Sequence, residues 1–494
     1  MQSRSKYSAN RIALISTPWP LYNRPSIQLG TLKSYLQTVY PDMQVDAQHV
    51  YLKLAESIGY RQYHEISKRT WLAETVYAAL LYPERFQQIE KLFNRESGRK
   101  SVLRVAGLGN IAAIVKKISD EFINSRNWDD YLLTGFSVSL CQLTSALYFI
   151  KRIKEKAPKL IIVIGGSTFS GSTTGELFKL FPEVDAVING EGELPFSQLI
   201  TCLRKFSRLS DVPFIPGLNR PETATDHSTS ASFQQLTSLK TLPPPDFGDY
   251  FDLLRSFDPQ NAFFPVLPVE TSRGCWWQQS YVPDKTTPKM SGHPAGCAFC
   301  NLNLQWQGYR TKAPSQVVSE IDRLTDTHQT LSVSIVDNVL PRKTSTEVFT
   351  KLDGLKKDLS LFSEIRASTS WAELKVMRKA GMQKVQIGIE ALSTPLLKKL
   401  HKGTSAIQNL EIMKNCEALG IENISNLILY FPGSDERDVA LTLQSIEFAL
   451  SYRPLKTVDF WLGRGSPVWC RPKTYGIRAV FNHPNWAVLF PQKI

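Results

Sequence analysis

The chain has 494 residues, 42% of them hydrophobic and 21% charged, with 10 Trp, 17 Tyr and 25 Phe. At ~150 residues per domain that length provides for about three domains, and the composition excludes a disordered or collagen-like chain. The 58 Lys+Arg against 45 Asp+Glu give a formal charge of +13, which suits an acidic partner such as nucleic acid, an anionic cofactor or an acidic peptide. The basic residues are nevertheless scattered in short pairs such as Lys116-Lys117 and Lys398-Lys399, a pattern that a solvated surface also produces.

Seven cysteines are too few for a secreted disulfide framework. No charged-then-apolar leader is read at the amino end, and no apolar run approaches the roughly 20 residues that cross a bilayer. The expectation is a cytoplasmic protein with no membrane segment.

In chain order, Arg11-Ile-Ala-Leu-Ile-Ser-Thr17 reads as a short buried strand stopped by Pro18-Trp19-Pro20. An amphipathic segment from Ile27 to Leu36 and a second strand near Val45 to Leu52 follow. From residue 56 to 126 the spacing turns helical (Ile66, Leu72, Val76, Leu80; Ile111, Ile114, Val115, Ile118), which predicts a helical insertion. Strands at Leu132 to Val138, Leu160 to Ile164 and Val184 to Ile188 then alternate with helices, so residues 1–212 predict a Rossmann-like α/β domain. Pro213, Pro216, Pro221 and Pro243-Pro244-Pro245 mark residues 213–263 as an inter-domain linker.

Residues 264–462 repeat the alternation. Strands fall near Val266 to Glu270, Leu331 to Val336, Phe362 to Ala367, Val385 to Ile389, Ile424 to Phe431 and Thr457 to Leu462, with helices between. Six such steps predict a (β/α)6 partial TIM barrel, with its chemistry at the carboxyl ends of the strands. Residues 463–494 are left as a short tail.

Cys275 closes Glu270-Thr-Ser-Arg-Gly-Cys275 just beyond the first barrel strand, and Cys297-Ala-Phe-Cys300 follows. A Cys-x-x-Cys turn presents two thiolates to one inorganic centre. Three thiolates hold three irons of a four-iron cluster and leave the fourth open to a ligand. Spacing alone leaves zinc equally open, since His293 would complete a Cys3His tetrahedron.

Cys275, Cys297 and Cys300 resemble the cysteine motif of radical S-adenosylmethionine (SAM) enzymes, although 21 residues replace the usual three between the first two. Cys275-Trp-Trp277, the insert after it, Cys297-Ala-Phe-Cys-Asn-Leu-Asn303 and Tyr309-Arg-Thr-Lys-Ala-Pro314 are similar to one subgroup. That subgroup is the cobalamin-binding radical SAM C-methyltransferases that mature ribosomally synthesised peptides (RiPPs), in which an insert follows the first cysteine. Val336-Asp-Asn338, Glu364-Ile-Arg366, Gly388-Ile-Glu-Ala-Leu-Ser393 and Phe431-Pro-Gly433 continue the likeness. The resemblance implies a [4Fe-4S] cluster on the three cysteines, with Glu390, Ser393, Asp337, Glu364 and Arg366 around SAM. Ser393 reads equally as a helix N-cap.

In the first half, Gly135-Phe-Ser-Val-Ser139, Ile164-Gly165-Gly166 and Asn189-Gly190-Glu191-Gly192-Glu193 end predicted strands, where glycine lets a backbone approach a bulky ligand. In this order they resemble a cobalamin-binding domain, which implies Gly165, Gly166, Gly190, Glu191 and Gly192 as its contacts. The spacing Asp46-Ala-Gln-His49 departs from the Asp-x-His-x-x-Gly signature, so no histidine ligand to cobalt is expected. Pro25-Ser-Ile-Gln-Leu-Gly30 resembles a family segment below the corrin and reads equally as a helix start.

By resemblance the chain is a cobalamin-dependent methyltransferase acting on an unactivated carbon of a precursor peptide. Two SAM are consumed per turnover, and a low-potential donor such as flavodoxin or ferredoxin is needed. No residue is assigned as acid, base or nucleophile. Three alternatives stay open: a radical epimerase or cyclase without methyl transfer, an RNA-modifying enzyme, and a zinc-stabilised binding module. For RNA methylthiotransfer the first half's two cysteines, Cys141 and Cys202, are too few for a second cluster.

Overall fold

The computed structural model describes residues 10–98, 102–169, 174–206, 208–222, 234–277 and 296–491. The chain divides into two compact units: residues 1–237, 242–264 and 481–494 form the first, and 238–241 with 265–480 the second.

The first unit is built on strands β1 (Arg11–Ser16), β2 (Gln44–His49), β3 (Leu133–Ser137), β4 (Ile161–Gly165), β5 (Ala186–Ile188) and β6 (Leu218–Asn219). Their order is 2-1-3-4-5-6, all parallel except β6, which pairs antiparallel with β5. This is the flavodoxin-like doubly wound order, whose connection changes direction between β1 and β3. The strands read as near-continuous apolar runs because both faces are covered. Ile12, Leu14, Val45, Leu133, Ile161 and Val163 share a core with the helices Ile27–Val39 and Glu193–Leu203.

Between β2 and β3 lie the helices Val50–Ile58, Tyr60–Ser67, Thr70–Leu81, Phe86–Ser97, Val102–Ala106 and Leu108–Asn124. The second strand therefore stops at His49, and the apolar Val50, Tyr51 and Leu52 open a helix instead of extending the strand. Thr70–Leu81 is buried along almost its whole length, as a helix apolar all round must be. Glu74, on this helix, accepts hydrogen bonds from the backbone of Leu143 (3.1 Å) and Thr144 (2.8 Å) and so caps the helix Leu143–Lys156.

Residues 239–251, within the expected linker 213–263, are not a free spacer. Leu242, Phe247, Tyr250 and Phe251 are buried in the first unit, and Leu239 is buried in the second. Their apolar side chains outweigh the proline signal that marked the stretch as a spacer.

In the second unit, β7 (Leu267–Val269), β10 (Ser332–Ile335), β11 (Ser360–Ile365), β12 (Met382–Ile387) and β13 (Glu422–Asn423) form a parallel sheet in the order 13-12-11-10-7. β8 (Ser272–Arg273) and β9 (Arg310–Thr311) form a separate antiparallel pair. The series ends with β14 (Asn426–Leu429) paired in parallel with β15 (Lys456–Asp459). Glu390 bridges to Leu427 and ties this pair to the sheet. At the break between β13 and β14, the Ile387 N–H donates to the hydroxyl of buried Ser425 (3.0 Å). A side chain there takes a ladder position. The helices Pro314–His328, Ser345–Gly354, Trp371–Lys379, Ala406–Ala418 and Glu436–Ala449 alternate with the strands, giving the expected partial barrel. Ser370 with Glu373 and Ser405 with Gln408 start two of them as capping boxes.

The expected tail is divided as well. Val468 is fully buried and its N–H donates to Ala298 O (3.0 Å), so residues after β15 pack on the Cys297–Cys300 turn. Residues 481–494 belong to the first unit. No helix of the described residues is long and apolar enough to cross a membrane.

Candidate functional site

Cys275 follows β8 at the mouth of the partial barrel, and Cys297 and Cys300 stand on a turn closed by the Cys300 N–H on Cys297 O (3.2 Å). All seven cysteines are free thiols. Burial pushes the Cys300 thiol up to about 11, and both Cys297 and Cys275 add to the rise. Cys275 and Cys297 thus lie within electrostatic reach of Cys300 despite the 21 intervening residues. Among the described residues no three His, Cys, Asp or Glu side chains stand close enough to hold a single metal ion. A cluster in which each thiolate takes its own iron accepts wider-set sulfurs than one zinc with bonds of about 2.3 Å. The donor set fits a cluster. His293, the expected fourth zinc ligand, lies outside the described residues.

Asp337 is 3% exposed. Its carboxylate accepts from the Thr271 N–H (2.7 Å), the Ser272 hydroxyl (2.6 Å) and the Thr271 hydroxyl. Burial still pushes its carboxyl up to about 6. Asp337 thus anchors the segment leading to Cys275. Glu364, on β11, makes no side-chain hydrogen bond with a described residue. Burial first, then the Glu390 and Asp337 charges, push its carboxyl up to about 7. Such a buried acceptor fits a donor group of a bound ligand.

Glu390 has a left-handed backbone (φ 61°), and its carboxylate meets Lys402 Nζ at 3.4 Å. The Arg366 guanidinium lies 4.2 Å from the Trp277 ring centroid and 5.5 Å from that of Trp276, and it donates to Lys402 O. Ser393 has a different job from the SAM contact expected of it. Fully buried, it accepts from the Leu396 N–H (3.2 Å) to cap the helix Thr394–Lys399 and donates to Asp438 (2.7 Å). Its hydroxyl is committed to the fold.

In the first unit the loops after β1 and β3 are bound together. The Gln142 amide donates to Thr17 O (2.6 Å), and the hydroxyls of Ser145 and Thr17 meet at 2.9 Å. Gly166 serves an internal approach: with φ 110°, a Cβ there would run into Val138 O. Gly135 likewise leaves room for Phe196 and Leu14. Gly165 and Gly192 meet only ordinary neighbours, Ile188 and Leu32, and Gly190 is left-handed (φ 84°). The Glu191 carboxylate accepts from the Leu236 N–H (3.0 Å). Of the glycines read as ligand contacts, Gly166 thus has a packing reason of its own. A feature the sequence reading missed is Asn189: 6% exposed at the end of β5, it leaves both amide atoms without a partner among the described residues. An orphaned amide at the carboxyl edge of a doubly wound sheet fits a large polar ligand.

Residues 290–446 match the radical SAM superfamily. An uncharacterised methyltransferase of Pyrococcus horikoshii is 24% identical over 344 residues, 68% of this chain and 66% of its own. The chain spans between about half and two thirds of the length of the curated relatives it matches. Among solved structures, the radical SAM methyltransferase TsrM of Kitasatospora setae, with cobalamin and a [4Fe-4S] cluster bound, superposes with a TM-score of 0.62 at 13% identity. That match covers 96% of this chain and 79% of TsrM. The cobalamin-dependent radical SAM enzyme OxsB gives 0.58 at 17% identity, over 95% and 56%. These likenesses establish the fold: a doubly wound domain followed by a partial barrel of parallel strands.

Proposed function

We propose that this chain is a cobalamin-dependent radical SAM methyltransferase acting on an unactivated carbon of a ribosomally synthesised precursor peptide. The observation that supports the reading is that the charges of Cys275 and Cys297 both reach Cys300 in the unit built on the parallel partial barrel, with the Cys297–Cys300 pair inside the radical SAM match. When bound, the cluster supplies the electron that cleaves SAM, and cobalamin carries the methyl group.

The chain's own residues bind and orient. Cys275, Cys297 and Cys300 would each take one iron. Glu364 and Glu390, half-buried beside Lys402, offer acceptors to the ammonium or hydroxyl groups of SAM, and Asp337 and Arg366 hold the loops around them. Asn189 and the linked loops after β1 and β3 would receive cobalamin. The Cys275-Trp276-Trp277 pattern and the charge of +13 support an acidic peptide as substrate.

Anaerobic reconstitution with iron, sulfide and cobalamin should give a protein whose spectrum holds both iron–sulfur and corrin bands. With SAM, flavodoxin or ferredoxin and a precursor peptide, mass spectrometry should find one added methylene mass and 5′-deoxyadenosine. Peptide altered without that gain would support an epimerase or cyclase, and a colourless protein retaining one zinc would sink the radical reading.

A further inference from the structure

Cys275 and the Cys297–Cys300 pair are far apart in sequence, and the helix Thr394–Lys399 leads into a segment that contacts neighbours of both, Trp277 on one side and Ala298 on the other. Leu400, fully buried, accepts the Ala298 N–H (2.9 Å) and so holds the turn between the paired cysteines. His401 O accepts the indole N–H of Trp277 (3.0 Å), two residues beyond Cys275. Lys402 O accepts from Arg366, whose guanidinium stacks on the same Trp277 ring. Lys402 Nζ stands 5.8 Å from the centroid of Phe299, between the paired cysteines, and pairs with Glu390. Gly403 has φ 69°, and a Cβ on it would fall inside the Trp277 ring.

We propose that Leu400–Gly403 is a clasp that gathers the three cysteines into one cluster site, with Trp277 and Gly403 as its interlocking positioning residues. The clasp rests on the cluster reading above. Its logic is that of outer partners fixing the ligands of a metal site: Leu400 and Lys402 fasten the turn of the paired cysteines, and His401, Lys402 and Gly403 fasten Trp277 beyond the first cysteine. A first cysteine remote in sequence needs such a device, because no short turn between it and the pair fixes their separation.

The test compares Gly403→Ala with Gly420→Ala. Gly420 has a similar left-handed backbone (φ 63°) but open space around its Cα, so both variants carry the same backbone strain and only the first displaces Trp277. Iron and sulfide content after anaerobic reconstitution, and the electron paramagnetic resonance signal on reduction, are the readouts. Gly403→Ala should hold iron roughly 10–100-fold more weakly, the effect expected of an outer partner, while Gly420→Ala loads as the natural chain does. Equal loading of both variants, or equal loss, overturns the clasp. If Gly403→Ala is recovered unfolded, Trp277→Phe decides: it keeps an aromatic ring but removes the donor to His401, and full loading with an unaltered signal overturns the proposal. A natural chain that takes up no cluster fails the functional reading and the clasp together; a loaded natural chain beside a loaded Gly403→Ala fails the clasp alone.

Discussion

Glu364 is a carboxyl group that the fold keeps from water without giving it a donor. Its folded pKa, about 7, lies above the ordinary 4.5, so the folded state holds this proton more tightly than the unfolded chain. The stability it contributes is present below about pH 4.5 and is lost as pH rises through about 7, on the order of 3 kcal/mol in all. Glu364→Gln should remove that slope in cofactor-free protein, read as urea midpoints across the range. Ser393→Ala tests the other outcome at this scale. Losing a buried cap should cost about 1–2 kcal/mol and leave SAM affinity, measured by calorimetry on the loaded enzyme, unaltered. Local sequence singles out the Cys297–Cys300 pair as candidates because thiolate ligation favours two such residues on one turn. It could not single out Lys402 or Gly403: one of 58 basic residues and one of 27 glycines acquire meaning only when the fold sets them against Trp277 and Phe299. Gly166 is ambiguous for the converse reason, since close approach to a neighbouring backbone, here Val138 O, and to a ligand leave the same mark.

At the scale of elements, Lys312 and Glu320 join the end of β9 to the helix Pro314–His328 through an ion pair of 2.7 Å, with side chains 2% and 0% exposed. Glu320→Gln would leave the ammonium buried without its counter-charge, at a cost of about 3–5 kcal/mol. The denaturant midpoint should fall accordingly, and the double change Lys312→Met with Glu320→Leu should recover most of the loss. Long periodic elements were legible because burial imposes their period; β11 alternates buried Leu361, Ser363 and Ile365 with less buried neighbours. Short ones were not. The six-residue helix Thr394–Lys399 contains too few turns for a period to show, and the break at Ser425 depends on a hydroxyl replacing a backbone group, which no apolar pattern records.

The molecule as a whole contains a second buried titrating group with the opposite sign. His49, 2% exposed, packs its ring against Tyr51 and Tyr250 at centroid distances of 5.6 and 5.3 Å, and desolvation pushes its pKa down to about 3. Its contribution is present above about pH 6.5 and is lost on acidification, about 2 kcal/mol by pH 5. Glu74 and Asp185, raised by burial, act in the opposite sense within the same unit. His49→Phe isolates the histidine: the variant's unfolding free energy should fall less between those two pH values than that of the natural chain. The two-unit plan was legible from the alternation of strands and helices, whereas its boundaries were not, because prolines mark a change of direction whether or not the chain between them is buried.

The return of residues 481–491 to the first unit makes that unit discontinuous. His483 stacks on Trp71 at 4.5 Å, Trp486 meets the same indole at 5.4 Å, and Asn485 accepts from Arg95. A ribosome making this polypeptide delivers Trp71 some four hundred residues before the aromatic rings that cover it. The first unit must therefore wait, with an uncovered indole, until residues 265–480 have emerged, so completion of the one unit is coupled to synthesis of the other by the order of translation itself.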